Sequence, residues 1–157
     1  MNGKHLASAA AVVGLCLLAA SAVAWAGGRG GASIVGVPTI AWCALLAFVI
    51  QWIAFVPAYL KQTERFYDLT GSLTYIGVTL FALLTAGPIG VRSAVLGLLV
   101  FVWAARLGSF LFRRIQAEGS DSRFDSIKPS APRFFVAWTL QGLWVFLTAC
   151  CALVIIT

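Results

Sequence analysis

The sequence predicts an all-α, polytopic bundle of about five transmembrane helices with a cytoplasmic N-terminus. Three observations carry this reading. Of the 157 residues, 61% are hydrophobic and only 10% are charged, whereas a soluble domain is nearer half apolar and about a quarter charged. The apolar residues are grouped into blocks able to cross roughly 30 Å of hydrocarbon, which takes about 20 helical residues. The 11 Lys and Arg residues lie almost wholly between those blocks. The formal charge of +6 is therefore topological and lipid-facing, and nucleic acid is not an expected partner.

Each block is expected to be a helix, because backbone groups in lipid must bond within their own segment. The first block, 6–26, follows Lys4 and His5 and ends at Ala24-Trp25-Ala26, which resembles a signal cleavage site. Its apolar run exceeds the usual signal core of about 7–15 residues, so a retained helix is expected. The glycine-rich run GGRGG at 27–31 breaks the chain before the second block, 37–60. Pro57 should kink or end that helix, since it lacks an N–H and crowds the preceding turn. The third block, 69–86, stops at the turn sequence GPIG, 87–90. The fourth is 91–112, a loop is expected over 113–133, and the fifth is 134–156.

Orientation follows the basic residues in the short loops. Lys4, Lys61, Arg65, Arg113, Arg114, Arg123, Lys128 and Arg133 fall on one side, and Arg29 and Arg92 on the other. The first side is assigned to the cytoplasm, which fits a multi-pass protein of the bacterial inner membrane. Cys16, Cys43, Cys150 and Cys151 all lie in apolar runs with no C-x-x-C spacing, and His5 is the sole histidine. Neither a disulfide framework nor a metal site is expected.

Arg106 is the basic residue that breaks the pattern. It lies seven residues before Arg113, within the run FVWAARLGSFLFRR, 101–114. A helix rises about 1.5 Å per residue, which puts Arg106 roughly 10 Å deep. An ion at that depth is costly and is a functional candidate. Tyr75 and Gln141 lie at similar depth in the third and fifth blocks, with Gln51 a little deeper in the second. Asp68, Ser72, Tyr75 and Thr79 share one helical face, with Thr70 and Thr74 beside it. Two readings are open: a polar cavity that holds a ligand, or interhelical packing with Arg106 snorkelling to Asp68 or Glu64.

The loop RRIQAEGSDSRFDSIKPSAPR, 113–133, alternates charge and carries Phe124 and Ile127, which can dock on the membrane face. Arg113, Arg114, Arg123 and Lys128 are suited to phosphate through charge-assisted hydrogen bonds. They are equally suited to anionic lipid heads. No G-x-G-x-x-G or P-loop pattern is present, so any nucleotide site would be of another kind.

Three stretches together resemble a bacterial membrane family known as domain of unknown function 1295. They are KQTERFYDLTGSLTYIGVTL (61–80), WAARLGSFLFRRIQAEGSDSRFDSIKPS (103–130) and FFVAWTLQGLWVFLT (134–148). That family in turn resembles the C-terminal domain of steroid 5-alpha-reductases, with sterol reductases and isoprenylcysteine methyltransferases as wider relatives. The resemblance implies an integral membrane reductase that uses NADPH from the cytoplasmic side on a lipid-like unsaturated substrate. Tyr75 would donate to the developing oxyanion. Arg106 would hold a charged group or orient Tyr75 and Asp68. Arg113, Arg114 and Arg123 would meet cofactor phosphates, and Gln51 and Gln141 would face the substrate.

The chain departs from the pattern in two places. The early Gln-Glu pair of steroid reductases is Gln51-Trp52 here. A segment resembling Ser-Arg-His-Pro-Asn-Tyr-Phe-Gly-Glu, which the resemblance associates with the cofactor site, does not occur. The chain is accordingly expected to correspond to the N-terminal portion of the family's domain, with a second half or a homo-oligomer as partner. The alternatives are a non-enzymatic lipid-binding or assembly module, a truncated relic, and a methyltransferase using S-adenosylmethionine.

Overall fold

The computed structural model describes residues 3–157 and contains five long helices. The side chain of Lys4, used in the topological count, lies outside the described residues. Helix α1 spans Gly3–Gly27, α2 Thr39–Leu60, α3 Tyr67–Thr85, α4 Val91–Glu118 and α5 Ala131–Ile156. All five are long and apolar enough to cross a membrane. A small antiparallel hairpin, β1 Ser33–Ile34 and β2 Val37–Pro38, joins α1 to α2. Its two turn residues, Val35 and Gly36, have φ of 53° and 77°. Tight two-residue hairpins favour positive φ at these positions.

The predicted spans sit within a few residues of these helices, with one larger difference. Helix α4 runs on to Glu118, so residues 113–118 are helical rather than loop. Its 28 residues extend about 42 Å, more than the hydrocarbon needs, and the last turns project past it. Gly119 ends it, with φ 83° and its N–H donating to the Ile115 carbonyl. At the other side of the loop, α5 begins at Ala131, leaving 119–130 as the connection with a 3₁₀ turn at Ser122–Phe124. Pro57 stands in the last turn of α2, which ends three residues later at Leu60.

Helix α5 is the hub and touches each of the other four. With α2 and α3 it forms the core, where Cys43, Phe48, Val78, Phe146 and Leu153 are buried. Helices α1 and α4 flank this trio. Lipid tails are as apolar as leucine, so close packing and interhelical hydrogen bonds hold such a bundle together. Small residues permit that packing. Helix α4 buries Gly97, Ala104, Gly108 and Ile115, spaced seven, four and seven, as one inward stripe. A Cβ on Gly108 would stand 2.7 Å from the Ser72 Cβ, and one on Gly142 would stand 3.0 Å from Phe48 Cδ1. The backbones of α4 and α5 can therefore lie almost directly on α3 and α2.

Candidate functional site

A cleft of about 430 Å³ lies between α3, α4 and α5. Its floor is a polar strip on α3, formed by Asp68, Ser72 and Tyr75, with Gln141 of α5 beside it. Its walls are apolar: Trp103, Leu107 and Leu111 at one-turn spacing on α4, and Leu140, Leu143 and Leu147 on α5. Trp103 and Trp144 line the cleft and are also exposed on the outer surface, at 47% and 66%. The cleft therefore opens sideways, toward the lipid.

Each polar group in the strip has a defined setting. The Tyr75 hydroxyl is hydrogen-bonded to Thr148 Oγ1, and its ring stands edge-on to Trp103 with centroids 4.8 Å apart. Thr148 Oγ1 donates its own proton to the Trp144 carbonyl at 2.7 Å. Tyr75 is then the donor to Thr148, and its oxygen keeps lone pairs free to accept. Ser72 Oγ donates to the Asp68 carbonyl at 3.2 Å. Gln141 Nε2 donates to the Tyr67 carbonyl at 2.8 Å, while its Oε1 is buried without a partner. Gly71 makes that approach possible, because any Cβ there would collide with the Gln141 amide.

Above the strip, at the basic end, the 61–66 turn and the 119–130 loop form a charged clasp. Glu64 is 5% exposed. Its Oε2 pairs with Lys128 Nζ at 2.7 Å, and its Oε1 accepts the Asp121 N–H at 2.8 Å. Arg65 Nε donates to the Gly119 carbonyl at 3.2 Å. Beneath lies an aromatic cluster in which Tyr67 stands edge-on to Phe124 and Trp138, and its hydroxyl donates to the Ala137 carbonyl at 2.8 Å. Burial works against the Glu64 charge, but hydrogen bonds from Lys128 and the Asp121 N–H outweigh it and leave the pKa below the ordinary value. Hydrogen bonds from Arg123 likewise hold the Asp121 carboxyl low, against the opposing effect of burial.

The predicted site residues separate into three groups. Tyr75, Asp68 and Gln141 come together in the cleft. Gln51 does not join them. It is fully buried between α2 and α3, and its Nε2 donates to Thr74 Oγ1 at 2.9 Å. Arg106 is the main correction. It is exposed, on the side of α4 opposite the Gly97–Ala104–Gly108 stripe, and lies apart from Gln51, Tyr75 and Gln141. The cause is helical phase: Arg106 follows Ala104 by two residues, which is a rotation of about 200°. Asp68 and Glu64 do not take Arg106 as partner either, since Asp68 faces Arg114 at 3.6 Å and Glu64 holds Lys128.

The three arginines expected at a dinucleotide phosphate have different settings. Arg113 is exposed. Arg114 stands among three carboxylates, Asp68 at 3.6 Å, Asp121 at 3.9 Å and Glu118 at 4.0 Å. Arg123 forks onto Asp121, with Nε 2.9 Å from Oδ2. The shallow depression that Arg114 and Arg123 border is thus lined by two guanidinium groups and two carboxylates, and Arg113 lies outside it. A pyrophosphate placed there would face Asp121 and Glu118. As arranged, these residues do not fit the phosphates of NADPH.

Sequence reading also overlooked Trp103, Leu107 and Trp144, which line the cleft, and Thr148, which holds the Tyr75 hydroxyl. Trp103 and Leu107 are one turn apart on α4, as are Trp144 and Thr148 on α5, a spacing that marks each pair as sharing a face.

Five helices apolar and long enough to cross a membrane, three of them enclosing a laterally open cleft, define a multi-pass integral membrane protein. A family model described as "Protein of unknown function (DUF1295)" matches residues 54–157, and the chain belongs to that family. The matched range includes every residue of the cleft and of the clasp, and excludes Gln51. No curated protein and no solved structure matches the chain.

Proposed function

We propose that the α3–α4–α5 cleft binds a lipid-like molecule carrying a carbonyl or hydroxyl group, taken laterally from the bilayer. The observation that carries this reading is a polar strip of Asp68, Ser72, Tyr75 and Gln141 inside an otherwise apolar cleft open toward lipid. Small-molecule sites combine a mostly apolar wall with a few convergent polar groups in this way. Leu107, Leu111, Leu140 and Leu143 would take the hydrocarbon. The Tyr75 oxygen would accept from a ligand hydroxyl, or the Tyr75 proton would turn from Thr148 to a ligand carbonyl. On this reading the protein is a lipid-binding module, consistent with a bacterial inner membrane.

Reduction of an unsaturated lipid is the second reading, and Tyr75 favours it. A phenol in an apolar cleft is placed to stabilise an oxyanion that develops beside an activated double bond. NADPH would then have to be held by groups other than Arg113, Arg114 and Arg123, such as those of a second half or another subunit.

The test uses the full chain in lipid nanodiscs, with a sterol enone as probe. Binding is read from quenching of tryptophan fluorescence. Leu107→Trp fills the cleft and should abolish binding. Tyr75→Phe should weaken it about tenfold, the equivalent of one hydrogen bond of about 1.4 kcal/mol. Binding unchanged in Leu107→Trp would refute the cleft. Oxidation of NADPH that requires both the enone and Tyr75 would move the reductase reading to first place.

A further inference from the structure

Arg106 poses a problem that the cleft does not solve. It is exposed on the outer face of α4, and among the described residues it has no hydrogen-bond or ion-pair partner. Its Cα lies roughly 10 Å from Arg113 along α4, inside the stretch long and apolar enough to cross a membrane. Even the lowest estimates of the cost of a guanidinium in hydrocarbon, near the helix centre, are about 2.5–3.5 kcal/mol, and such residues normally face a bundle interior rather than lipid. The same face carries Leu99, Val102 and Phe110, all at least 60% exposed. Arg92 and Arg113 share that face near its two ends; between them, an apolar surface with one unpaired cation is a poor lipid face and a good helix-packing face.

The identity of the occupant follows from charge. This chain has five side-chain carboxylates: Glu64, Asp68, Glu118, Asp121 and Asp125. All lie at the basic end, and the one on α4 itself, Glu118, is about 18 Å along the helix from Arg106. A second copy packed α4 against α4 would set Arg106 against its own counterpart, and it would bring no carboxylate from residues 3–157 to that depth. We propose that the outer face of α4 packs against a transmembrane helix of different sequence, one that carries an Asp or Glu at the depth of Arg106. Leu99, Val102 and Phe110 supply the apolar contact, and the buried ion pair fixes the register. This proposal is independent of what the cleft binds.

The experiment places a photoreactive benzoylphenylalanine at Val102 in the full chain, in the membranes of the producing cell. After irradiation, the adduct peptide is sequenced. The expected product is a membrane-spanning peptide with a carboxylate near its crosslinked residue, with a yield that falls at least tenfold in Arg106→Leu. Leucine inserts more readily than arginine, so loss of insertion does not confound that variant. Exchange of the charges, Arg106→Asp with Arg at the acidic position of the partner helix, should restore the adduct. Adducts to lipid alone, to a second copy of this chain, or to a helix without an intramembrane carboxylate would each overturn the proposal. So would an adduct yield that Arg106→Leu leaves unchanged.

Discussion

The clasp and the cleft adjoin at the start of α3, yet they treat their carboxylate, amide and phenol groups differently. In the clasp, both oxygens of Glu64 are engaged, one by Lys128 and one by the Asp121 N–H. Asp121 in turn holds Arg123 with both of its carboxylate oxygens. Two turns into α3, Tyr75 keeps acceptor capacity beside apolar walls, and next to it Gln141 of α5 leaves its Oε1 unpaired. Fully satisfied polar networks rigidify, while unpaired groups in a recess remain available to a ligand. On the proposed reading the charged end is structural and the membrane interior binds, the reverse of a scheme in which the loop arginines do the chemistry.

The sharpest way to break that contrast is at Lys128. Lys128→Met removes the cation and leaves a buried carboxylate, which costs about 3–5 kcal/mol when one partner of a buried pair is deleted. Thermal unfolding in detergent should show the loss, and Glu64→Gln/Lys128→Met should recover most of it. A single-mutant loss under about 1 kcal/mol, the range of an exposed pair, would mean that the clasp is ornamental.

Acid probes the same network without mutation. The folded-state pKa values of Glu64 and Asp121 lie below their ordinary values. The stability they contribute is therefore fully present above the unfolded carboxylate pKa of about 4 and disappears as pH falls through the lower folded values. The melting temperature should be level between pH 8 and pH 5 and decline below about pH 4. Lys128→Met should flatten that decline, because Lys128 supplies much of the depression. An unchanged acid slope in the variant would assign the acid sensitivity to other carboxylates.

How far the sequence leads is clearest on α4. Its existence and start at Val91 are legible because a long apolar block follows GPIG. Its end is not, since the charged residues 113–118 read as loop once the hydrocarbon is crossed. The cue is the lack of any Gly or Pro between Arg113 and Gly119. The polar layer was half legible for a related reason. Distance along a helix gives depth and says nothing about direction, so depth alone groups Arg106, Tyr75 and Gln141 together. Direction is written elsewhere, in the Gly97–Ala104–Gly108 stripe that marks the inward face and leaves Arg106 half a turn away. The Glu64–Lys128 pair, 64 residues apart in the chain, has no local signature at all.

The smallest effect separates the two glutamines that sequence alone treats as equals. Gln51 ties α2 to α3 through Thr74, which passes its own proton to the Thr70 carbonyl at 2.7 Å. Interhelical hydrogen bonds in membranes average about 0.6 kcal/mol, so Gln51→Leu should cost little stability. Gln51 does not line the cleft, so its loss should leave probe binding unchanged. Gln141→Leu removes a comparable tie, to the Tyr67 carbonyl, and should cost a similar amount. It also strips the cleft of an acceptor, and probe affinity should fall severalfold. Equal losses of affinity in the two variants would show that packing of the whole bundle, rather than the polar strip, controls binding. A selective loss in Gln141→Leu places recognition on the strip.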